Sequence, residues 1–201
     1  TALEKYAIES NNAMLTQAKS TLEKQINEID NIVLLLSNDN TVNSYLGVKK
    51  FNRPDDVNKL FDLKKNLYAF QEVSNLILNY YVLYRKSNLA FTANLIYRIP
   101  VLYPDILKYK NINFKEWYQD IFNQYYYKEY LPARDIVYEG KGRSVIIYLH
   151  SIGYEQQPDG VIMILINNQK VRDILSNLSS SEGGWASILD ARDQVLSSTA
   201  P

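Results

Sequence analysis

The chain has 201 residues, of which 46% are hydrophobic and 22% are charged, enough for one large domain or one domain and part of another. Lys plus Arg and Asp plus Glu balance at 22 each, and the lysines are scattered, which argues against a nucleic-acid partner. The absence of cysteine excludes disulfides and thiolate chemistry, and no apolar run approaches the roughly 18 residues of a membrane span.

The N-terminal segment predicts one long amphipathic helix. Between Ala13 and Leu36, apolar residues such as Leu15 recur at steps of three and four, which places them on one stripe. The pattern extends towards the N-terminus, so the helix would be about 55 Å long at a rise of about 1.5 Å per residue. Residues 1–50 are therefore expected to form a stalk helix and a kink, with the helix stopped at 36–40 and a second short helical turn at 41–46.

Two partners fit the apolar stripe of this helix. One is a second helix whose apolar residues lie between Val57 and Phe70, continuing to about Val73, with a capping signal at Pro54–Asp56. This helix could pack antiparallel to the first. The other partner is the same helix in a second copy of the chain, which would make a homodimer.

From residue 75 the pattern changes to near-alternation rich in β-branched and aromatic residues, which predicts strands. Segments 76–84 and 89–93 predict a hairpin, whereas Pro100 and Pro104 make 96–101 an edge strand or a loop. A helix capped by Asn113 is expected at 114–123, followed by strands at about 133–138, 143–151 and 160–166. The fold class is therefore α+β: a five-stranded antiparallel sheet with helices covering one face.

The C-terminal part predicts an exit helix at 168–178, a linker at 179–184 and a hairpin formed by 185–190 and 194–198. The hairpin either opens another unit or completes the first domain. The chain begins inside a helix and ends just after this hairpin, so both termini are expected to be cuts in a longer protein.

This order of elements, with Leu-Ser-Asn-Asp at 36–39 and Gly-Gly-Trp-Ala-Ser-Ile-Leu-Asp at 183–190, resembles the Cache superfamily of extracellular PAS-like sensor domains. In detail the chain is similar to the ectodomains of membrane-anchored AraC-type transcription regulators and sensor histidine kinases of Gram-positive bacteria. The resemblance implies a membrane-distal Cache subdomain at 51–178 and the start of an incomplete membrane-proximal subdomain at 183–201. It also implies a location on the extracellular face of the membrane.

The resemblance further implies a ligand site. Amino-acid receptors of this superfamily carry Arg-x-Trp-Tyr on the helical insert, a Tyr on a middle strand and an Asp ending the last strand. The corresponding residues here are Lys115, Trp117, Tyr118, Tyr148 and Asn167. Lys lacks the bidentate fork of Arg, and Asn lacks the anion that pairs with an ammonium group, which argues against an α-amino acid ligand. Alternatively, Trp117 and Tyr118 only pack the insert onto the sheet.

Catalytic chemistry has little support in the sequence. His150 is the single histidine and has no acid or base partner nearby in the sequence, and neither a Gly-rich phosphate loop nor metal-ligand spacing is present. The 17 tyrosines fit sugar or peptide recognition, or simply the β propensity of a half-exposed sheet. We therefore expect a cofactor-free, non-enzymatic sensor of a small molecule or protein. The alternative is a ligand-free structural or protein-interaction module.

Overall fold

The computed structural model describes residues 2–50, 54–68, 74–177 and 184–200, and these form an α+β fold. The helices are α1 (Ala2–Asn38), α2 (Asn40–Ser44), α3 (Pro54–Tyr68), α4 (Ile99–Val101), α5 (Phe114–Asn123) and α6 (Asn168–Ser176), with a π-helical turn at Leu102–Ile106. The strands are β1 (Ile77–Tyr84), β2 (Leu89–Phe91), β3 (Ile96–Arg98), β4 (Leu107–Tyr109), β5 (Glu129–Tyr138), β6 (Lys141–Tyr154), β7 (Gln157–Asn167), β8 (Ser187–Leu189) and β9 (Val195–Ser198).

A curled antiparallel sheet of seven strands, in the order β3-β2-β1-β7-β6-β5-β4, forms the centre of the molecule. The predicted five strands were too few, because β3 and β4 have only three residues each. Strand β3 falls in the segment that the prolines left ambiguous. In β4 the only sequence signal is charged Lys108 between Leu107 and Tyr109, and three residues are fewer than the window over which alternation is read. In the structure Leu107 and Tyr109 are buried and Lys108 is exposed.

The chain crosses from one edge of the sheet to the other between β3 and β4. The connecting segment, residues 99–106, must therefore pass over one face of the sheet. Its side chains Ile99, Leu102 and Tyr103 are buried in a core on that face. Helix α5 adds Trp117, Ile121 and Phe122 to the same core, so the whole insert covers this face.

Helices cover both faces of the sheet, which corrects the expectation that they cover one. Strand β7 shows the reason, because its successive side chains alternate between two cores. One set packs with α5, and the other packs with α1, α3 and α6. A strand buried on both faces reads as a continuous apolar run, as residues 161–166 do. The α5-side residues are Val161, Met163 and Leu165, and the α1-side residues are Ile162, Ile164 and Ile166.

Helix α1 is confirmed as one helix of 37 residues. Its C-terminal half lies on the sheet, where Ile29, Val33 and Leu36 are fully buried. Tyr6 and Leu15, nearer its N-terminus, are exposed because the apolar stripe is longer than the sheet beneath it. Self-association through this exposed end stays a prediction. Among the described residues, no helix combines the length and the apolar character that crossing a membrane requires.

Helix α3 contributes Leu63 and Leu67 to the α1-side core. It is attached to the sheet by Tyr80 of β1, whose hydroxyl donates a hydrogen bond to the Leu67 carbonyl. Phe61, which the sequence placed on the apolar stripe of this helix, is exposed. The predicted continuation of the helix over residues 69–73 lies outside the described residues.

The C-terminal hairpin of β8 and β9 forms its own two-stranded sheet. It is joined to the larger sheet through buried Asn168, which accepts a hydrogen bond from the Ser197 hydroxyl at 2.6 Å and donates one to the Ser144 hydroxyl at 3.0 Å. Arg192 adds an ion pair with Glu129 at 2.6 Å. That this hairpin opens a membrane-proximal subdomain stays a prediction, as do the predicted domain boundaries.

Gly160 lies in β7 where the chain after α2 approaches the sheet. A Cβ there would be 2.8 Å from Leu46 Cδ2 and 3.1 Å from the Leu83 carbonyl oxygen. We predict that Gly160→Ala lowers the free energy of unfolding by about 1–3 kcal/mol, because the neighbouring segments must move apart. Urea denaturation measures this change.

The control for this prediction is Gly142→Ala in β6. Nothing lies within 4 Å of the position a Cβ would take there. We expect unchanged or slightly higher stability, since alanine reduces the freedom of the unfolded chain. Equal losses for the two variants would contradict the close-approach explanation.

Candidate functional site

The five residues predicted to form a ligand site do not form one pocket. Trp117 and Tyr118 lie on α5, inside the curl of the sheet, whereas Tyr148 lies in the core beneath α1 on the opposite face. Lys115 is exposed, and the Asn167 side chain caps α6 by accepting a hydrogen bond from a backbone N–H at 3.0 Å. Successive side chains of β6 lie on opposite faces of the sheet, and the side chain of Tyr148 lies on the face away from α5. Ligand binding by any of the five individually stays a prediction.

Helix α5 is built as the sequence predicts. Asn113 accepts a hydrogen bond from the Glu116 N–H, and the Glu116 carboxylate accepts one from the Asn113 N–H, both at 3.0 Å. Trp117 is 1% exposed and stacks on Tyr103 with 4.6 Å between ring centroids. Trp117 also stands edge-on to Tyr109 of β4, with 6.4 Å between centroids, and shares a core with the sheet, so it takes part in the packing of the insert onto the sheet that the sequence left as an alternative.

Tyr148 makes a polar contact between the sheet and α1. Its hydroxyl donates a hydrogen bond to Asp30 Oδ1 at 3.0 Å, and Lys128 Nζ lies 3.7 Å from Asp30 Oδ2. The ring of Tyr130 stands edge-on to that of Tyr148, with 4.6 Å between centroids. Burial, and then the Asp30 carboxylate, raise the pKa of both tyrosines, so both hydroxyls remain protonated and able to donate.

We predict that Asp30→Ala and Tyr148→Phe are energetically coupled. A double-mutant cycle measured by chemical denaturation should give a coupling energy of about 0.5–1.5 kcal/mol, because each single variant already removes the shared hydrogen bond. The exposed pair Lys5 and Glu9, 4.0 Å apart on α1, is the control and should couple by less than about 0.5 kcal/mol. Additive effects at Asp30 and Tyr148 would show that the contact does not hold α1 to the sheet.

His150 lies near this contact and is 6% exposed. Its Nδ1 accepts a hydrogen bond from the Lys128 N–H at 3.3 Å, which requires that nitrogen to be unprotonated. Burial and then the Lys128 charge lower the pKa of His150, against an opposing effect of Asp30. The histidine is therefore a neutral core residue at neutral pH.

We predict that His150 titrates below its ordinary pKa of 6.5 in the folded protein. The unfolded chain then takes up this proton first, so the histidine contribution to stability is present above 6.5 and is lost as the pH falls towards the folded pKa. NMR titration of the single imidazole measures that pKa directly. A folded-state value at or above 6.5 would contradict the prediction.

The curl of the sheet brings β5 back towards β1. Strands β7 and β6 lie between them, so in a flat sheet the two would be about 14 Å apart at about 4.8 Å per strand. Yet the Asn79 amide of β1 donates hydrogen bonds to the Tyr138 hydroxyl of β5 at 2.9 Å and to the Tyr81 hydroxyl at 3.3 Å. The curl therefore encloses the α5-side core and has a mouth where β1 begins and β5 ends.

A cavity of about 310 Å³ opens at this mouth, and its volume is at the lower end of the range for small-molecule sites. We call it the mouth cavity. None of the five predicted ligand residues lines it. Its polar lining comes from the start of β1, the β2–β3 turn, β3 and the β5–β6 turn. Six of the lining residues are Asn79, Thr92, Leu95, Tyr97, Tyr138 and Glu139.

Two tight turns position the rim of the mouth cavity. Thr92 Oγ1 accepts hydrogen bonds from the N–H groups of Leu95 at 2.9 Å and Asn94 at 3.3 Å, which closes the β2–β3 turn. Glu139 and Gly140 have φ values of 48° and 74°, which are typical of a two-residue hairpin turn with positive φ at both positions. The tight reversal predicted at this glycine-containing sequence is confirmed.

The mouth cavity has no signal in the sequence. The residue pattern predicts the reversal at Glu139, but nothing in it indicates that this turn meets Asn79, which is 60 residues earlier in the numbering and three strands away in the sheet. Among residues 2–50, 54–68, 74–177 and 184–200, no three metal-ligating side chains form a group that could hold an ion.

Solved structures of sensor domains share this fold. The ligand-binding domain of Campylobacter jejuni chemoreceptor Tlp3, in complex with 4-methylisoleucine, superposes with a TM-score of 0.55 at 15% identity, covering 99% of this chain and 72% of that one. A domain from a Vibrio parahaemolyticus protein described as sensory box/GGDEF family gives 0.56 at 15%, covering 90% and 66%. The extracellular domain of a protein described as a histidine kinase, vpHK1S-Z8, gives 0.55 at 14%, covering 86% and 61%.

At these identities the similarity shows a shared fold, and the α+β arrangement of a long N-terminal helix and an antiparallel sheet predicted from the sequence is confirmed at that level. The chain spans less than two thirds of the vpHK1S-Z8 structure. The sequence matches no protein-family model, and no curated protein sequence is significantly similar to it.

Proposed function

We propose that this chain is an extracellular ligand-sensing domain of a bacterial transmembrane signalling receptor. The observation that carries the proposal is that a polar, open cavity lies where β1 begins and β5 ends, while a long helix packs on the same sheet. The fold shared with a chemoreceptor domain and a histidine kinase ectodomain supports it. As the resemblance in sequence suggests, the receptor is a membrane-anchored AraC-type transcription regulator or sensor histidine kinase of a Gram-positive bacterium.

The proposed signal passes from the mouth cavity through the sheet to α1. A ligand in the cavity contacts both β1 and β5, so it favours one separation of these strands and hence one degree of curl. Strand β6 pairs with β5 and carries Tyr148, which is bonded to Asp30 of α1. A change in curl therefore changes the position of α1 on the sheet, and the helix transmits this displacement along its length.

In this proposal the domain has no enzymatic activity and needs no cofactor, because its role is to bind a ligand and to displace α1. The second candidate function is a structural or protein-interaction module with the same fold. It differs in one respect that can be measured, since such a module has no small molecule in its mouth cavity.

We predict that thermal-shift screening against amino acids, organic acids, amines, sugars and short peptides finds a class that raises the melting temperature. Native-state binding at 100 times Kd adds about 2.7 kcal/mol of stability. Leu95→Trp should abolish the shift, because Leu95 is a 54% exposed lining residue and the larger side chain fills the cavity without breaking a buried hydrogen bond.

Leu189→Trp is the matched control, because Leu189 is 52% exposed on β8 and does not line the mouth cavity. It should keep the full ligand shift. If no class of compound shifts the melting temperature of the unaltered chain, ligand sensing by this domain is refuted and the structural module is favoured. If a ligand still raises the melting temperature of Leu95→Trp, it binds at a site other than the mouth cavity.

A further inference from the structure

We infer that the mouth cavity takes a small organic cation, an amine or quaternary ammonium compound without a carboxylate, with Glu139 as its counter-charge. The inference rests on the proposed sensing function and specifies the ligand class of the same site. It departs from the amino acid bound by the Tlp3 domain of similar fold.

The charge of the lining is the first argument. Glu139 is the one charged side chain that lines the cavity in the described part of the chain, and no Lys or Arg is among the lining residues. A carboxylate ligand would enter beside a like charge with no cation to pair with it, whereas an ammonium group would gain a partner. The site therefore discriminates by the sign of the ligand charge.

The aromatic lining is the second argument. Tyr97 and Tyr138 both line the cavity, and the face of a phenol ring attracts an organic cation. Burial, and then the Glu139 carboxylate, raise the pKa of Tyr97, so the phenol lies within electrostatic reach of that carboxylate and stays neutral. Carboxylate and ring thus act on the same small volume, as recognition of an ammonium group requires.

Asn79 has a positioning role in this site. Its amide N–H groups donate hydrogen bonds to the hydroxyls of Tyr138 and Tyr81, and its oxygen accepts one from the Tyr80 N–H at 2.8 Å. The amide therefore has no donor left for a ligand, and it fixes the phenol ring of Tyr138 at the mouth. The direct contacts fall to Glu139 and the tyrosine rings.

The test uses isothermal titration calorimetry on the intact chain with four-carbon probes that carry different end groups: putrescine, 1,4-butanediol and succinate. Tetramethylammonium and isoleucine are added as a quaternary cation and an amino acid. We expect at least one of the two cations to bind and the diol, the diacid and the amino acid not to bind. The affinity for the cation should fall at higher salt, since the attraction to an exposed carboxylate is screened.

Variants assign the binding to named groups. Glu139→Gln keeps the size of the side chain and should weaken cation binding by at least about tenfold, because the counter-charge is lost. Asp135→Asn is the matched control on the same hairpin, since that carboxylate pairs with Lys110 at 3.1 Å and does not line the cavity. It should leave the affinity unchanged within about twofold. Tyr97→Phe should retain binding and Tyr97→Leu should lose it.

The outcomes separate this inference from the proposed function. If succinate or isoleucine binds and neither cation does, or if Glu139→Gln leaves cation affinity unchanged, the cation inference is overturned and ligand sensing stands. If neither these probes nor any compound of the thermal-shift screen binds, both fail. Melting curves of each variant confirm that it is folded before its affinity is interpreted.

Discussion

The structure depends on one property of its central strands, which is that β1, β6 and β7 are buried on both faces. Each strand sends alternate side chains into two cores, one beneath α1 and one beneath α5. Burial of each large apolar side chain stabilises the fold by roughly 1.5–3 kcal/mol. Since the same three strands contribute side chains to both cores, they hold the helices on both faces. In the proposed signalling, a displacement at one face reaches the other through this single layer of backbone.

The curl of the sheet turns this layered core into a site. Flat strands would leave Asn79 and Tyr138 too far apart to bond, but curling brings them to 2.9 Å and places two turns around the opening. The open end of the curl has little apolar packing to close it, because Asn79, Thr92 and Glu139 are polar. Asn79 is held in place by hydrogen bonds to the Tyr138 and Tyr81 hydroxyls, and Thr92 by those within the β2–β3 turn.

On the other face, the contact of Asp30 with Tyr148 and Lys128 is a polar feature at a largely apolar interface, where Gln25 also accepts a hydrogen bond from the Ser74 hydroxyl at 2.7 Å. Burying a carboxylate there has an unfavourable desolvation free energy unless the group is hydrogen-bonded. The contact therefore favours one position of α1 over slightly shifted positions. Apolar packing alone would tolerate small shifts of the helix with little change in energy. The polar contact therefore gives α1 one preferred position on the sheet, as the proposed signalling through this helix requires.

The sequence by itself determined what local patterns encode: the length of α1, the Asn113 cap that starts α5 and the turn at Glu139. Each of these depends on residues within a few positions of one another. Tertiary structure alone decided the two three-residue edge strands, the second covered face, the separation of Tyr148 from Trp117 and the mouth cavity. These depend on which strands pair and how far the sheet curls, and the free energy of that choice comes from contacts between residues many positions apart.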